Sequence, residues 1–145
     1  MLETIFPFHT SIGLLILRIA LSIVFIAHGW PRLFKNGKFE GPGQLATFLK
    51  QMNLPLPGIA AWLIALVETV GVVMLLVGLA TRILAVALVL DMLIAITHGH
   101  IRMAKTRFSG GETIGWEFEF LLLAGALTLF FTGAGLISLD RLIGF

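Results

Sequence analysis

Cysteine is absent from this sequence, and charge is scarce. The first absence removes disulfide exchange, thiolate nucleophiles and cysteine-ligated metal or iron–sulfur sites together. The second says more. Only 12% of the 145 residues are charged, against roughly a quarter in a soluble domain. Apolar residues make up 58% of the chain, and mean hydropathy is +1.02. So little charge cannot coat a globule of this size, which makes lipid the solvent for much of its surface. The net charge of +2 is too small to indicate nucleic acid, and the basic residues sit in loops beside apolar runs. Also missing are a P-loop, a dinucleotide fingerprint, an HExxH motif and a nucleophile elbow. No Lys or Arg precedes the first apolar run, so a cleaved signal peptide is not expected.

What is present is four apolar segments, near Ser11 to Phe34, Gly58 to Leu79, Thr81 to Ile101 and Trp116 to Thr132. Each is close to the roughly 20 residues needed to cross the hydrocarbon core. The runs are continuous rather than alternating, which excludes β-barrel spans, and helices satisfy their own backbone hydrogen bonds in lipid. The expected fold is all-α: a single domain over residues 1–145, an integral membrane four-helix antiparallel bundle. The second and third segments are separated by little more than Leu79-Ala80-Thr81-Arg82, which forces a hairpin and offers Thr81 as an N-cap. After the breaker cluster Gly41-Pro42-Gly43, residues 44–53 place Leu45, Phe48, Leu49 and Met52 at helical spacing. This piece reads as a short amphipathic helix in the first loop, on the bundle mouth or in the headgroups. Gly71 and Gly78, and Ala124 and Thr128, permit close helix approach.

Loop charge sets the expected orientation. Arg32, Lys35, Lys38, Lys50, Arg102, Lys105 and Arg107 fall on the side of the first and third loops, whereas Arg82 and Arg141 lie on the side of the tight turn and the termini. The positive-inside rule puts the first side in the cytoplasm and both termini outside.

Ionisable groups at bilayer depth are costly and mark function or pairing. With a rise of about 1.5 Å per residue, Glu68 and Asp91 fall roughly 15 Å from the basic side and Arg18 roughly 24 Å, with a side chain able to reach towards them. This upper tier, Arg18 with Glu68 and Asp91, is a candidate ligand-binding or proton-handling cluster; the alternative is a salt bridge that fixes helix register. Arginine can bind one carboxylate bidentately, while a second carboxyl beside it in low dielectric favours its protonated form. A lower tier holds His28 roughly 9 Å deep, with His98, Glu117 and Glu119 within about 5 Å of the basic side, and His100 near them. Walls of Trp30, Phe34, Trp116 and Phe120 would make this a mouth for a quinone or another amphipathic ligand, or else a plain interfacial aromatic belt. Haem or metal ligation is disfavoured, because His28 and His98 differ in height and His98 and His100 sit at a helix end.

In chain order, Leu17-Arg18-Ile19-Ala20 and the run from His28 through Gly29, Trp30, Pro31 and Arg32 to Phe34 resemble the first helix of the DoxX family of small four-helix inner-membrane proteins. The stretch Glu68 to Gly71 and the stretch Leu76 to Arg82 resemble their second helix and tight turn. Gly115-Trp116-Glu117 and the run Thr132 to Asp140 resemble the fourth helix and exit, with Ala134-Gly135 where the family commonly has Pro-Gly. The resemblance implies a bundle in a bacterial cytoplasmic membrane, with Arg18, Glu68 and Glu117 as recurrent polar positions. It also implies association with membrane redox systems, since the family name comes from a subunit linked to quinone-coupled sulfur oxidation.

Three functions compete. The chain is an accessory or quinone-binding subunit of a membrane redox system, dependent on a redox partner protein because no self-sufficient catalytic motif is present. Otherwise it is a small transporter or binding protein for an amphipathic solute, or a structural membrane scaffold. Quinone is the candidate cofactor; the lipid bilayer is an expected partner, nucleic acid is not one, and a homo-oligomer is compatible with the sequence.

Overall fold

Phe8–Leu33, Pro57–Val77 and Thr81–Ala104 form helical stretches of 26, 21 and 24 residues, each long and apolar enough to cross a bilayer. The computed structural model describes residues 2–109 and 115–144. Helix α1 is Leu2–Leu33; it begins before Ser11 because hydropathy marks the apolar part of a helix rather than its end. A two-residue hairpin follows, β1 Phe34–Lys35 paired antiparallel with β2 Lys38–Phe39. Its turn residues Asn36 and Gly37 both have positive φ, 51° and 75°, the conformation an Asn-Gly turn supplies.

Helix α2, Gly43–Gln51, lies in the first loop. Leu49 and Met52 are buried against Ala61, with Leu45 half-buried beside them. Phe48, expected on the same stripe, is exposed. Helix α3, Pro57–Val77, starts with proline at its first position and contains a π-helical turn, Val67–Gly71. Helix α4, Thr81–Ala104, ends in a π-helical segment, Ala95–Ala104. Helix α5, Glu117–Thr132, has 16 residues and spans about 24 Å, shorter than the other three. A short helix α6, Leu139–Ile143, closes the chain.

The four long helices bury one apolar core, in which Leu21 and Phe25 of α1 meet Val72 and Leu75 of α3, Leu88 and Met92 of α4, and Ala126 and Leu129 of α5. Large apolar side chains such as Ile16, Ile23, Val70, Leu90 and Phe131 face outwards. Apolar exposure on this scale is stable only in lipid. The architecture is an all-α membrane bundle with antiparallel neighbours and an amphipathic helix in the first loop.

The bundle has two dissimilar ends. The hairpin end carries β1, β2 and α2. The turn end is covered by residues 133–143, which fold back over the α3–α4 turn. There the Asp140 carboxylate accepts from the Ala80 and Thr81 amides at 2.6 and 2.9 Å, and the Asp140 amide donates to the Gly78 carbonyl at 2.8 Å. This corrects the expectation that Thr81 caps α4. The cap position is Ala80, in left-handed conformation with φ 52°, and no side chain of its own caps the helix. The first-turn amides lack helical partners, and a carboxylate 59 and 60 residues further along supplies them.

Candidate functional site

Close packing of α1 on α3 begins at Gly29. A Cβ there would stand 2.6 Å from Glu68 Cβ and 2.8 Å from the Glu68 carbonyl oxygen, so only glycine lets the helices approach this far. Three residues on, Arg32 shares the face of Gly29. Its Nη1 donates to Glu68 Oε2 at 2.5 Å, an ion pair in which the Glu68 side chain is 1% exposed and the Arg32 side chain 32%. Glu68 itself sits in the π-helical turn of α3, a distortion frequent at functional sites. Hydroxyls serve the carbonyls flanking that turn: Thr69 donates to Ala65 at 2.6 Å, and Ser22 of α1 donates to Val72 at 2.9 Å.

Asp91 of α4, also buried, lies against Glu68 within hydrogen-bonding reach, and its Oδ2 has no partner among the described residues. Ionised carboxylates only accept, so a bond between the two requires one proton. Three helices thus contribute one residue each: Arg32 from α1, Glu68 from α3 and Asp91 from α4. The arrangement can hold a proton between its carboxyls while one oxygen stays tied to a guanidinium. A void of about 20 Å³ lies beside Arg32, between Phe34 and Glu40, room for about one water.

Arg18 does not belong to this group. It is buried beneath the turn end, with Nη2 donating to the Ile137 carbonyl at 2.5 Å, and Asp140 is the charge it faces. Its Nη1 occupies the space a Cβ on Gly78 would need. Nε and Nη1 have no partner among the described residues. Helical side chains lean towards the N-terminus of their helix. On α1 that direction carries Arg18 away from Glu68 and carries Arg32 down onto it, which is why the expected partner was the wrong arginine.

The lower tier divides as well. His28 is exposed, donates from Nδ1 to the Val24 carbonyl at 2.8 Å and lies against Phe118. His98 contacts Thr97 through Nδ1 at 2.9 Å and Arg102 through Nε2 at 3.2 Å, both on its own helix. His100 reaches Glu119 at 3.1 Å and Thr106 at 2.9 Å, tying α4 to α5. The second oxygen of Glu119 is buried without a partner among the described residues. Glu117 is exposed in the first turn of α5, where a negative charge suits the helix dipole. The tryptophans fall in separate clusters. Trp30 stacks on Phe34 at 4.3 Å, and Phe34 leads through Phe39 to Trp62. Trp116 meets Phe108 and Phe120 edge-on. The expected single mouth walled by Trp30, Phe34, Trp116 and Phe120 is therefore two aromatic patches.

The DoxX family model matches residues 13–101. The chain belongs to the DoxX family. Gly29, Arg32, Glu68 and Asp91 all lie inside the matched range, whereas Glu117, Glu119 and the turn-end residue Asp140 lie beyond it. "Putative oxidoreductase CatD" of Bacillus subtilis (strain 168) is 33% identical over 133 residues, covering 92% of this chain and 88% of its own length. "Inner membrane protein YphA" of Escherichia coli (strain K12) is 33% identical over 129 residues, covering 88% of each chain. "Inner membrane protein YqjF" of the same organism is 29% identical over 133 residues, covering 92% of this chain and 93% of its own. No solved structure matches. As a DoxX-family chain with three helices fit to span a bilayer, it is an integral membrane protein.

Sequence reasoning missed Arg32 and Gly29 as site residues. The signal was available: they are three apart in the segment His28 to Phe34 that carried the family resemblance, so they share a helix face.

Proposed function

We propose that this DoxX-family protein sits in the bacterial cytoplasmic (inner) membrane, hairpin end inward and both termini outside, as an accessory quinone-binding subunit of a membrane redox system. The supporting observation is the Arg32–Glu68–Asp91 constellation, a carboxyl pair able to share a proton and a guanidinium that is partly exposed at the hairpin end. Quinone reduction consumes protons as well as electrons. The guanidinium hydrogen-bonds a carbonyl oxygen of the headgroup, and the carboxyl pair supplies a proton through Arg32's side of the bundle. The Trp30–Phe34 stack offers the ring an apolar neighbour. Electrons come from a redox partner protein, because the chain has no cysteine and His28, His98 and His100 are committed to separate hydrogen bonds. The oxidoreductase name of the Bacillus subtilis relative supports the redox association, and the basic residues of the hairpin end support the orientation.

The test is quinone extracted from the purified protein, together with the thermal shift produced by added quinone. Retained quinone, lost on Glu68→Gln without loss of folded protein, is the expected result; samples with neither quinone nor shift overturn it. One observation favours a second reading. The Arg32–Glu68 ion pair joins α1 to α3, so the charges could serve only to lock a scaffold. In that case Glu68→Gln abolishes expression, and removing Arg32 as well restores it. A transporter for an amphipathic solute loses its expected recognition point with the departure of Arg18 from the cluster.

A further inference from the structure

At the turn end, remote from the acid pair, lies an open cavity of about 690 Å³, within the range of small-molecule sites. Ser11 on its wall and Gly29 at the acid pair are separated by about 27 Å along α1. Arg82 from the start of α4 and Arg141 from α6 both line it. Of the ten Lys and Arg residues, these are the exposed ones at this end; Arg18 is buried beneath the covering segment.

The remaining polar side chains of the cavity are already committed. Ser11 Oγ accepts from the Leu136 amide at 3.0 Å, Thr132 donates to the Thr128 carbonyl at 2.7 Å, and Ser138 donates to the Gly135 carbonyl at 2.7 Å. The Asp140 carboxylate is held by the Ala80 and Thr81 amides and faced by Arg18. Arg82 lies along Gly133, whose backbone has φ +75°, yet neither its guanidinium nor that of Arg141 has a hydrogen bond or ion pair with the described residues. The uncommitted side-chain donors are therefore two planar, permanently charged forks, which match a phosphate oxygen by oxygen. Leu14 and Leu136 complete the wall with apolar surface at the level where the spanning helices end.

We infer that this cavity binds a phosphate group between Arg82 and Arg141. Two sources share that chemistry: the headgroup of an anionic glycerophospholipid, whose chains would run down the exposed apolar face of the bundle, and free inorganic phosphate. The full chain is purified and reconstituted in nanodiscs of phosphatidylglycerol or of phosphatidylcholine, retained lipid is counted by native mass spectrometry, and inorganic phosphate is titrated by thermal shift in detergent. Retention of phosphatidylglycerol in preference to phosphatidylcholine, reduced at least tenfold in R82Q/R141Q, assigns the lipid. A phosphate-dependent shift that disappears in R82Q/R141Q, without lipid preference, assigns the free anion. R82K/R141K keeps the charge and retains binding in part. No lipid preference and no phosphate shift in the native protein overturns the inference, a result that does not depend on any variant folding. Quinone content is unaffected in every arm, which keeps the outcome separate from the role of the acid pair.

Discussion

Glu68 packs on Gly29 so closely that a methyl group at position 29 would stand 2.6 Å from the Glu68 Cβ and 2.9 Å from its carbonyl carbon. Two of the three nearest atoms are backbone, so no side-chain rotation relieves the clash. Gly29→Ala should separate α1 from α3, lengthen the Arg32–Glu68 pair and destabilise the bundle by about 1–3 kcal/mol, the usual range for overpacking. Thermal unfolding in detergent reads this directly. An unchanged midpoint would mean that the contact is not made.

The ion pair itself makes a second prediction. Arg32→Gln leaves the buried Glu68 and Asp91 carboxyls without their cation, and removal of one partner from a buried pair is strongly destabilising. Because the Arg32 side chain is 32% exposed and solvent screens it in part, the loss should be roughly 2 kcal/mol rather than the full penalty. Arg32→Gln with Glu68→Gln should recover at least half of it. A double-mutant cycle by chemical or thermal unfolding measures the coupling, and additive single effects would contradict the geometry.

Much of the bundle was legible because hydropathy is a local property. The apolar segments, the tight turn after Leu79 and the stripe of Leu45, Leu49 and Met52 needed no tertiary information. The hairpin at Asn36-Gly37 is equally local, since that dipeptide supplies the two positive φ angles a two-residue turn needs. The partner of Glu68 was harder. Height along a helix makes Arg18 and Arg32 comparable candidates, and only the lean of helical side chains towards the N-terminus separates them. The role of Asp140 was out of reach, because its carboxylate caps a helix that begins 59 residues earlier and no local pattern announces that fold-back.

That cap carries a third prediction. Asp140→Ala strips acceptors from the Ala80 and Thr81 amides and leaves Arg18 without the charge it faces. Loss of a cap costs about 1 kcal/mol, and the stranded guanidinium adds to it. Hydrogen exchange should accelerate at Ala80 and Thr81 while amides in the middle of α3 and α5 keep their protection. Uniform acceleration throughout the bundle would instead mean that residues 133–143 hold the whole fold together.

The absence of native cysteine makes orientation testable without background. Single cysteines at Lys38, in the hairpin, and at Leu142, in α6, lie at opposite ends, and both side chains are exposed. With the hairpin end inside, a membrane-impermeant maleimide should label Leu142→Cys in intact cells and Lys38→Cys only after permeabilisation. The reverse pattern would invert the topology. It would then put the Arg82–Arg141 cavity on the cytoplasmic face and turn the Arg32 side of the Arg32–Glu68–Asp91 constellation towards the outer surface, so that any proton passing through that side would come from outside the cell.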